Sequence, residues 1–274
     1  MTDRYAVTGN PVDHSKSPQI HAAFARQTGE DLSYTKLLLP VDGFKKGAED
    51  FFAQGGKGLN VTVPFKLQAW QLSALRSQRA ERAGAVNTLL QNRDGKIVGD
   101  TTDGTGLLRD LCNNHKIQIE NKSLLILGAG GAVRGVLSEL LEKNPRQIII
   151  ANRTVEKAKL LAEQFSDIGC LYGCGFDELA GQQNDLIING TSASLQGELP
   201  ALPEGLIHRK SVCYDMMYGA HETVFNRWAR ERGAAITLDG LGMLVEQAAE
   251  SFFIWRGVHP QTTPVIEQLR SELT

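Results

Sequence analysis

The segment Asn60-Val61-Thr62-Val63-Pro64-Phe65-Lys66 offers an amide, a hydroxyl and a primary amine within seven residues. In an extended chain Asn60 and Thr62, two apart, point to one side, and Pro64 fixes the turn that delivers Lys66. Downstream, Asn87 in Ala85-Val86-Asn87-Thr88 and Asp103 in Thr102-Asp103-Gly104 fall at element ends as well. A lysine oriented by a carboxylate can give a proton to the alkoxide formed when a carbonyl accepts hydride, and can take it back in the reverse direction. The plainer reading makes Lys66 a surface residue after a turn. Neutral hydroxyls and amides around the pair suit a polyhydroxylated ligand, because they orient it without the desolvation cost of further charges.

A second polar cluster, NPVDHSKSPQIH at residues 10–21, stands between a short strand and a helix. Ser17 and Pro18 have the pattern of an N-cap and first helical residue, so Ser15, Ser17 and the free helical N–H groups can hold a small carboxylate. Lys16 raises the local potential or points away. His14 and His21 have no metal-like partners and read as structural hydrogen-bonding residues; with no HExxH or carboxylate cluster in the chain, a metal-independent reduction is favoured.

The third constellation is LLILGAGGAVRGVL. Gly128 permits a tight turn after a strand, Gly130 lets the backbone approach a pyrophosphate at a helix N-terminus, and Ala132 supports close helix packing. Val133 occupies the place of the third glycine of GxGxxG. Ala129 and Gly131 complete the turn. The next strand ends in Ala151-Asn152-Arg153-Thr154, with Lys157 one helical turn on. An NAD site presents a carboxylate there to the ribose hydroxyls; a guanidinium and an ammonium pair instead with a ribose 2′-phosphate, which selects NADP.

These groups need a scaffold. Strands near 4–8, 33–39 and 58–62 alternate with helices near 18–28, 42–53 and 66–82, and NTLLQNRDGKIVGD reads as a hairpin turning at Asp94-Gly95. After TTDGTG and a helix near 105–115, a more regular βαβ series begins: strands in KSLLILG, RQIIIANR, NDLIING, SVCYDMMY and AAITLDG, a short one near 169–172, and helices after the first glycine turn, at 154–165 and at 222–232. That is the pattern of an open, mostly parallel, doubly wound sheet. Two helices, near 243–256 and 262–272, remain. The expectation is an α/β protein of two domains, one over residues 1–102 that binds substrate and a Rossmann-like NADP-binding one over 103–240, with the helices of 241–274 open to either until the resemblance described below assigns them to the first.

Bulk properties narrow the class. The chain has 274 residues, 29 basic and 31 acidic, and a net charge of −2, so nothing favours nucleic acid or an anionic membrane as partner. No apolar run approaches membrane-spanning length and the start lacks a secretory pattern. The four cysteines form no CxxC pair and read as reduced thiols of a cytoplasmic protein.

SKSPxxH, NVTVPFK, GAVNT, DTTDG, GAGGA, NRT and DGLGMLVEQA, in this order and spacing, resemble the shikimate dehydrogenase family over essentially the whole chain. The resemblance implies reversible reduction of 3-dehydroshikimate to shikimate with NADPH, in chorismate and aromatic amino-acid biosynthesis. It implies C-terminal helices that pack back on the first domain, and substrate in a cleft beside the nicotinamide. Carried over residue by residue, it makes Ser15 and Ser17 carboxylate-binding, Thr62, Asn87, Tyr218 and Gln247 substrate-binding, and Lys66 and Asp103 both substrate-binding and catalytic. Gly128, Ala129, Gly130, Gly131, Ala132, Asn152, Arg153, Thr154, Lys157, Met216 and Gly240 become the cofactor-binding set, and the protein is a monomer or a homodimer without a metal.

The chain also departs from the family pattern. Gln78 stands where an acid is common, Gly190 in NGTSAS where alanine is frequent, and YGAHETVF lacks the prolines of a YxPxxTP-like segment, which predicts a differently shaped loop. Two other readings compete. One is the quinate/shikimate branch with relaxed substrate or NAD use; the other is an NADP-binding regulatory protein, which would not need Lys66 and Asp103 together.

Overall fold

The computed structural model describes residues 2–191, 193 and 197–273. The chain divides into two compact units, one running to Gly106 and including Val245–Glu267, the other comprising Leu107–Leu244 and the chain from Gln268 on.

The first unit contains β1 (Asp3–Gly9), α1 (Ser17–Thr28), β2 (Leu32–Leu38), α2 (Phe44–Ala53), β3 (Gly56–Val61), α3 (Lys66–Leu72), β4 (Leu75–Arg76), α4 (Gln78–Ala83), β5 (Thr88–Gln91), β6 (Ile97–Asp100) and the start of α5 (Asp103–Leu108). Its sheet has the order β2-β1-β3-β5-β6-β4; β1 pairs in parallel with β2 and β3, whereas β5 is antiparallel to β3 and β6. The core beneath it gathers Phe44, Phe51, Phe52, Leu59, Phe65 and Leu89.

The helix expected over 66–82 is two helices. Ser73 adopts an extended backbone and its hydroxyl donates to the Ala69 carbonyl, Leu75 and Arg76 join β6 as a short strand, and Ser77 caps α4 by accepting from the Ala80 N–H at 3.2 Å. Sheet pairing here overrides a continuous helical pattern. The helix expected near 105–115 likewise changes character, α5 giving way to a π-helical turn over Arg109–Asn114.

The second unit is built from β7 (Ser123–Leu127), α6 (Gly131–Leu141), β8 (Gln147–Ala151), α7 (Val155–Gln164), β9 (Leu171–Cys174), β10 (Leu186–Asn189), β11 (Val212–Asp215), α8 (Val224–Glu231) and β12 (Ile236–Asp239). Every pairing is parallel, in the order β9-β8-β7-β10-β11-β12. This is the doubly wound arrangement whose strand order reverses between β7 and β10. Residue alternation explains the two covered faces: Leu124, Ile126, Ile148, Ile150 and Ile188 enter one apolar cluster, and Leu125, Leu127, Ile149 and Ile187 the other.

Two C-terminal helices follow, α9 (Leu241–Arg256) and α10 (Thr263–Leu273). Most of α9 and the start of α10 belong to the first unit, as expected of helices that return to it. The end of α10 groups instead with the second unit, where Arg270 holds Asp239 through two hydrogen bonds of 2.7 and 2.5 Å.

Within the first unit, His21 is fully buried among aromatic rings, stacked on Tyr34 at 4.2 Å and flanked by Phe24, Phe252 and Trp255. Burial pushes its pKa down to about 3, partly offset by Asn60, and neither ring nitrogen has a hydrogen-bond partner of ordinary geometry. The unfolded chain therefore takes up a proton near pH 6.5 that the folded chain refuses until about 3. The resulting penalty is absent above the upper value, grows as pH falls between the two, and is complete below the lower one, at up to about 1.4 kcal/mol per pH unit. Urea unfolding of His21→Phe between pH 4 and 6.5 should show a flatter pH dependence than the parent chain; parallel curves would contradict a neutral buried imidazole.

Candidate active site

Lys66 opens α3 immediately after Phe65, which is fully buried and stacked on Phe44 with ring centroids 5.0 Å apart. That anchor fixes where the lysine side chain begins. Its Nζ donates to Asp103 Oδ2, and the two side chains are only 16% and 9% exposed, which removes the surface-residue reading of Lys66. Asp103 is the first residue of α5 and also accepts, through Oδ1, from Asn87 Nδ2 at 2.8 Å. Asn87 lies between β3 and β6, its N–H donating to the Asp100 carbonyl and its own carbonyl accepting from Val61 N–H. Gln247 of α9 brings Oε1 to 3.4 Å from Asn87 Nδ2 and from Thr102 Oγ1. Thr62 donates its N–H to the Thr8 carbonyl, and Gly9 leaves room for its methyl group, which a Cβ at that position would strike.

The serine pair differs in one respect from its expected form. Lys16, not Ser17, occupies the cap position, Ser17 and Pro18 being the first two helical residues. Ser15 supplies the capping oxygen, accepting from Ser17 N–H at 3.3 Å, and its hydroxyl donates to Ser17 Oγ at 3.2 Å. Two hydroxyls at the open end of α1 remain a suitable donor set for a carboxylate.

Tyr34, Asn60, Thr88 and Ser251 also belong to this polar cluster. The Tyr34 hydroxyl donates to Asn60 Oδ1 at 2.7 Å, and Asn60 Nδ2 reaches Ser251 Oγ at 2.9 Å. Ser251 stands four residues after Gln247, so both share a helix face; a serine directly before the apolar run FFIW is the one signal that could have marked it.

In the second unit the glycine turn sits between β7 and α6. Gly128 has φ +105°, a conformation L side chains avoid, and a Cβ there would lie 3.2 Å from the Gly190 carbonyl oxygen. A Cβ on exposed Gly130 would meet nothing within 4 Å, so the chain leaves open space before α6, whose N-terminus has no side-chain cap. Ala129 is buried and Ala132 packs on the core below. Asn152 turns its side chain back to the Thr154 carbonyl at 2.9 Å, and Arg153, Thr154 and Lys157 are exposed at the end of β8 and the start of α7. A bare helix N-terminus for a pyrophosphate and two exposed cations without an acid at the ribose-reading position fit NADP(H).

Met216 follows β11 and is held by its N–H to the Asn189 carbonyl at 2.9 Å. Gly240 lies against the backbone of Met216, where no Cβ could be accommodated. Tyr218 is largely buried, and burial first, then the Asp239 charge, raises its pKa. The divergent loop after it is closed by a two-point ion pair of Glu222 with Arg230, at 3.0 and 3.1 Å, and by Thr223, which caps α8. No group of His, Cys, Asp or Glu among the described residues could hold a metal ion.

Gly190 is explained by packing, while Ser192 and Ser194 of the same segment lie outside the described residues. A Cβ at 190 would come within 2.5 Å of Val133 Cγ2 and 3.2 Å of Met216 Sδ. Val133 thus fills the space that an alanine at 190 would need. Gly190→Ala should cost about 1–3 kcal/mol in urea unfolding, and Val133→Ala should relieve much of that cost. Additive effects in the double mutant would show that the two positions do not compete.

One unit with a doubly wound sheet and an open glycine turn at its reversal point, and another that carries a part-buried lysine paired with a buried carboxylate, define a dinucleotide-dependent oxidoreductase. Family models match in three stretches: the shikimate dehydrogenase substrate binding domain over residues 7–89, shikimate / quinate 5-dehydrogenase over 110–197, and the shikimate 5'-dehydrogenase C-terminal domain over 240–270. The chain is 59% identical over 272 residues to a shikimate dehydrogenase (NADP(+)) of Alkalilimnicola ehrlichii, covering 99% of this chain and 100% of that one. Among solved structures it resembles an Ael1 enzyme from Pseudomonas putida, with a TM-score of 0.91, 44% identity and 98% of each chain covered. It also resembles the Thermus thermophilus shikimate 5-dehydrogenase in complex with NADP(H) and shikimate, with a TM-score of 0.87, 31% identity, and 99% and 100% covered. The chain belongs to the shikimate dehydrogenase family.

Proposed function

We propose that this protein catalyses the reversible, NADPH-dependent reduction of 3-dehydroshikimate to shikimate. The observation that carries the proposal is the part-buried Lys66–Asp103 pair, braced by Asn87, in a chain that matches a shikimate dehydrogenase (NADP(+)) from end to end at 59% identity.

NADPH, when bound, would supply hydride to the ring carbonyl carbon. Lys66 donates the proton to the oxygen on which charge develops, and in the oxidative direction accepts it. Asp103 holds the lysine amine by its other hydrogen-bonding oxygen, and Asn87 fixes the carboxylate. Ser15 and Ser17 bind the substrate carboxylate, and Thr62, Asn87, Tyr218 and Gln247 its hydroxyls. The N–H groups of the Gly128–Ala132 turn take the pyrophosphate, and Asn152, Arg153, Thr154 and Lys157 the adenosine ribose and its phosphate. Met216 and Gly240 would border the nicotinamide. The unit formed by residues 1–106 and 245–267, which takes in Asp103 and Gln247, is the substrate-binding part, and that of 107–244 the cofactor-binding part.

All of these groups lie on one chain, so a monomer suffices for the chemistry and a homodimer would carry two copies of it. Free Cys112, Cys170, Cys174 and Cys213 support a reducing, cytoplasmic setting. No helix of the described residues is long and apolar enough to cross a membrane.

Incubation of the purified chain with shikimate and NADP should generate NADPH. Absence of turnover in a folded sample would overturn the proposal. The NAD and quinate combinations run in parallel should give lower kcat/KM, since the ribose position carries Arg153 rather than an acid and the substrate loop carries the paired Ser15 and Ser17.

A further inference from the structure

Around the lysine, the buried polar side chains of the first unit form a hydrogen-bond chain with a single direction. Ser15 Oγ donates to Ser17 Oγ at 3.2 Å, and Ser17 hydrogen-bonds the Tyr34 hydroxyl. Tyr34 donates to Asn60 Oδ1, and the Asn60 amide donates to Ser251 Oγ. Ser251 and Thr88 share a hydrogen bond of 2.8 Å, and Thr88 Oγ1 donates to Asn87 Oδ1 at 2.8 Å. The Asn87 amide then donates to Asp103 Oδ1, and Lys66 donates to Oδ2.

The direction follows from the chemistry of the groups. Lys66 can only donate, and Asp103 facing it accepts on both oxygens, so the Asn87 atom that meets Asp103 must be its NH2. Asn87 Oδ1 then needs donors and has them in Thr88 Oγ1 at 2.8 Å and the Thr102 N–H at 2.9 Å, with Thr102 Oγ1 farther off at 3.2 Å. Thr88, having spent its proton, accepts from Asn60 Nδ2 at 3.3 Å and from Ser251 at 2.8 Å, a shorter contact for the Ser251 hydroxyl than its other acceptor, the Gln247 carbonyl at 3.1 Å. Asn60, turned by Tyr34, supplies Ser251 in the same sense. A flipped Asn87 amide would set two acceptors, Oδ1 and the carboxylate, against each other in a buried site.

We infer that Thr88, Ser251 and Tyr34 are positioning residues of the reaction: they lock the amide of Asn87 in the orientation that presents Asp103 Oδ2 to Lys66. None of the three needs to touch substrate. The inference rests on the function proposed above, and its failure is separable from the failure of that function, which the parent protein alone decides.

The test uses the full chain with Thr88→Val, which keeps shape and removes the hydroxyl, Thr88→Ser, which restores it, and Tyr34→Phe, which deletes one donor remote from the lysine. Thr88→Val should lower kcat for shikimate oxidation by about tenfold or more while changing the NADP KM by less than about twofold, as expected when only the reacting geometry is disturbed. Thr88→Ser should recover most of the loss, and Tyr34→Phe should lower kcat by a smaller factor in the same direction. In ligand-free protein, the Asn87 side-chain NH2 resonances should move in Thr88→Val and Tyr34→Phe and return in Thr88→Ser. Folded Thr88→Val or Tyr34→Phe protein with parental kcat and unmoved Asn87 resonances would overturn the inference. Should Thr88→Val fail to fold, Tyr34→Phe and Ser251→Ala decide it by the same two readouts. An inactive parent protein would refute the proposed function, and the Asn87 resonances alone would then judge the chain.

Discussion

Lys66→Ala should lower kcat for shikimate oxidation by about two to four orders of magnitude, the range expected when a positioned proton-transfer group is removed. Shikimate affinity should fall far less, because Ser15, Ser17, Thr62, Asn87 and Gln247 still offer their hydrogen bonds. The split between kcat and binding is the diagnostic part, since a group acting only in ground-state binding would raise KM and leave kcat alone. Removing the amine also leaves Asp103, 9% exposed, as a buried carboxylate facing a gap. A Lys66→Ala Asp103→Asn protein separates that destabilisation from the loss of chemistry: stability should partly recover and kcat should not. A Lys66→Ala protein whose kcat stays within about twofold of the parent would remove the lysine from the reaction.

Arg153→Asp should reverse the cofactor preference. A carboxylate placed at the end of β8 repels a 2′-phosphate and can accept from the free ribose hydroxyls of NAD. Loss of one charge-assisted hydrogen bond is worth about 1.5–3 kcal/mol, and the added repulsion brings the expected fall in kcat/KM for NADP to about a hundredfold or more. The NAD value should change by less than about threefold, because the pyrophosphate turn and the nicotinamide positions are untouched. Arg153 and Lys157 are both exposed, so the effect should weaken as salt is raised. Equal changes for the two cofactors would show that Arg153 reads no phosphate.

The elements that sequence made legible are those whose signal is local. The GAGGA turn declares a strand, a positive-φ glycine and a helix start within a few residues, and Gly128 has that conformation. Lys66 and Asp103 were marked by residue type at element ends, and the hydrogen bond between them joins residues 37 apart. Features set by distant partners were not legible. The apolar pattern from Leu67 onward continues through Ser73 as a helix would, and only pairing of Leu75–Arg76 with β6 breaks it. Ser15 rather than Ser17 provides the cap because the turn from Val12 brings its oxygen onto Ser17 N–H. The buried chain from Tyr34 through Asn60, Ser251 and Thr88 joins four segments whose nearest pair is 26 residues apart, each residue having a bland explanation where it stands. Gly190 departs from the family's frequent alanine for a reason no local pattern carries, the Val133 side chain packed against it.

The most direct test is a crystal structure of the protein with shikimate bound. The expected result is the C3 oxygen within hydrogen-bond distance of Lys66 Nζ, and the carboxylate on the hydroxyls of Ser15 and Ser17. A ring bound the other way round, with its carboxylate against Lys66 and no oxygen of the reacting carbon near that amine, would contradict the proton route.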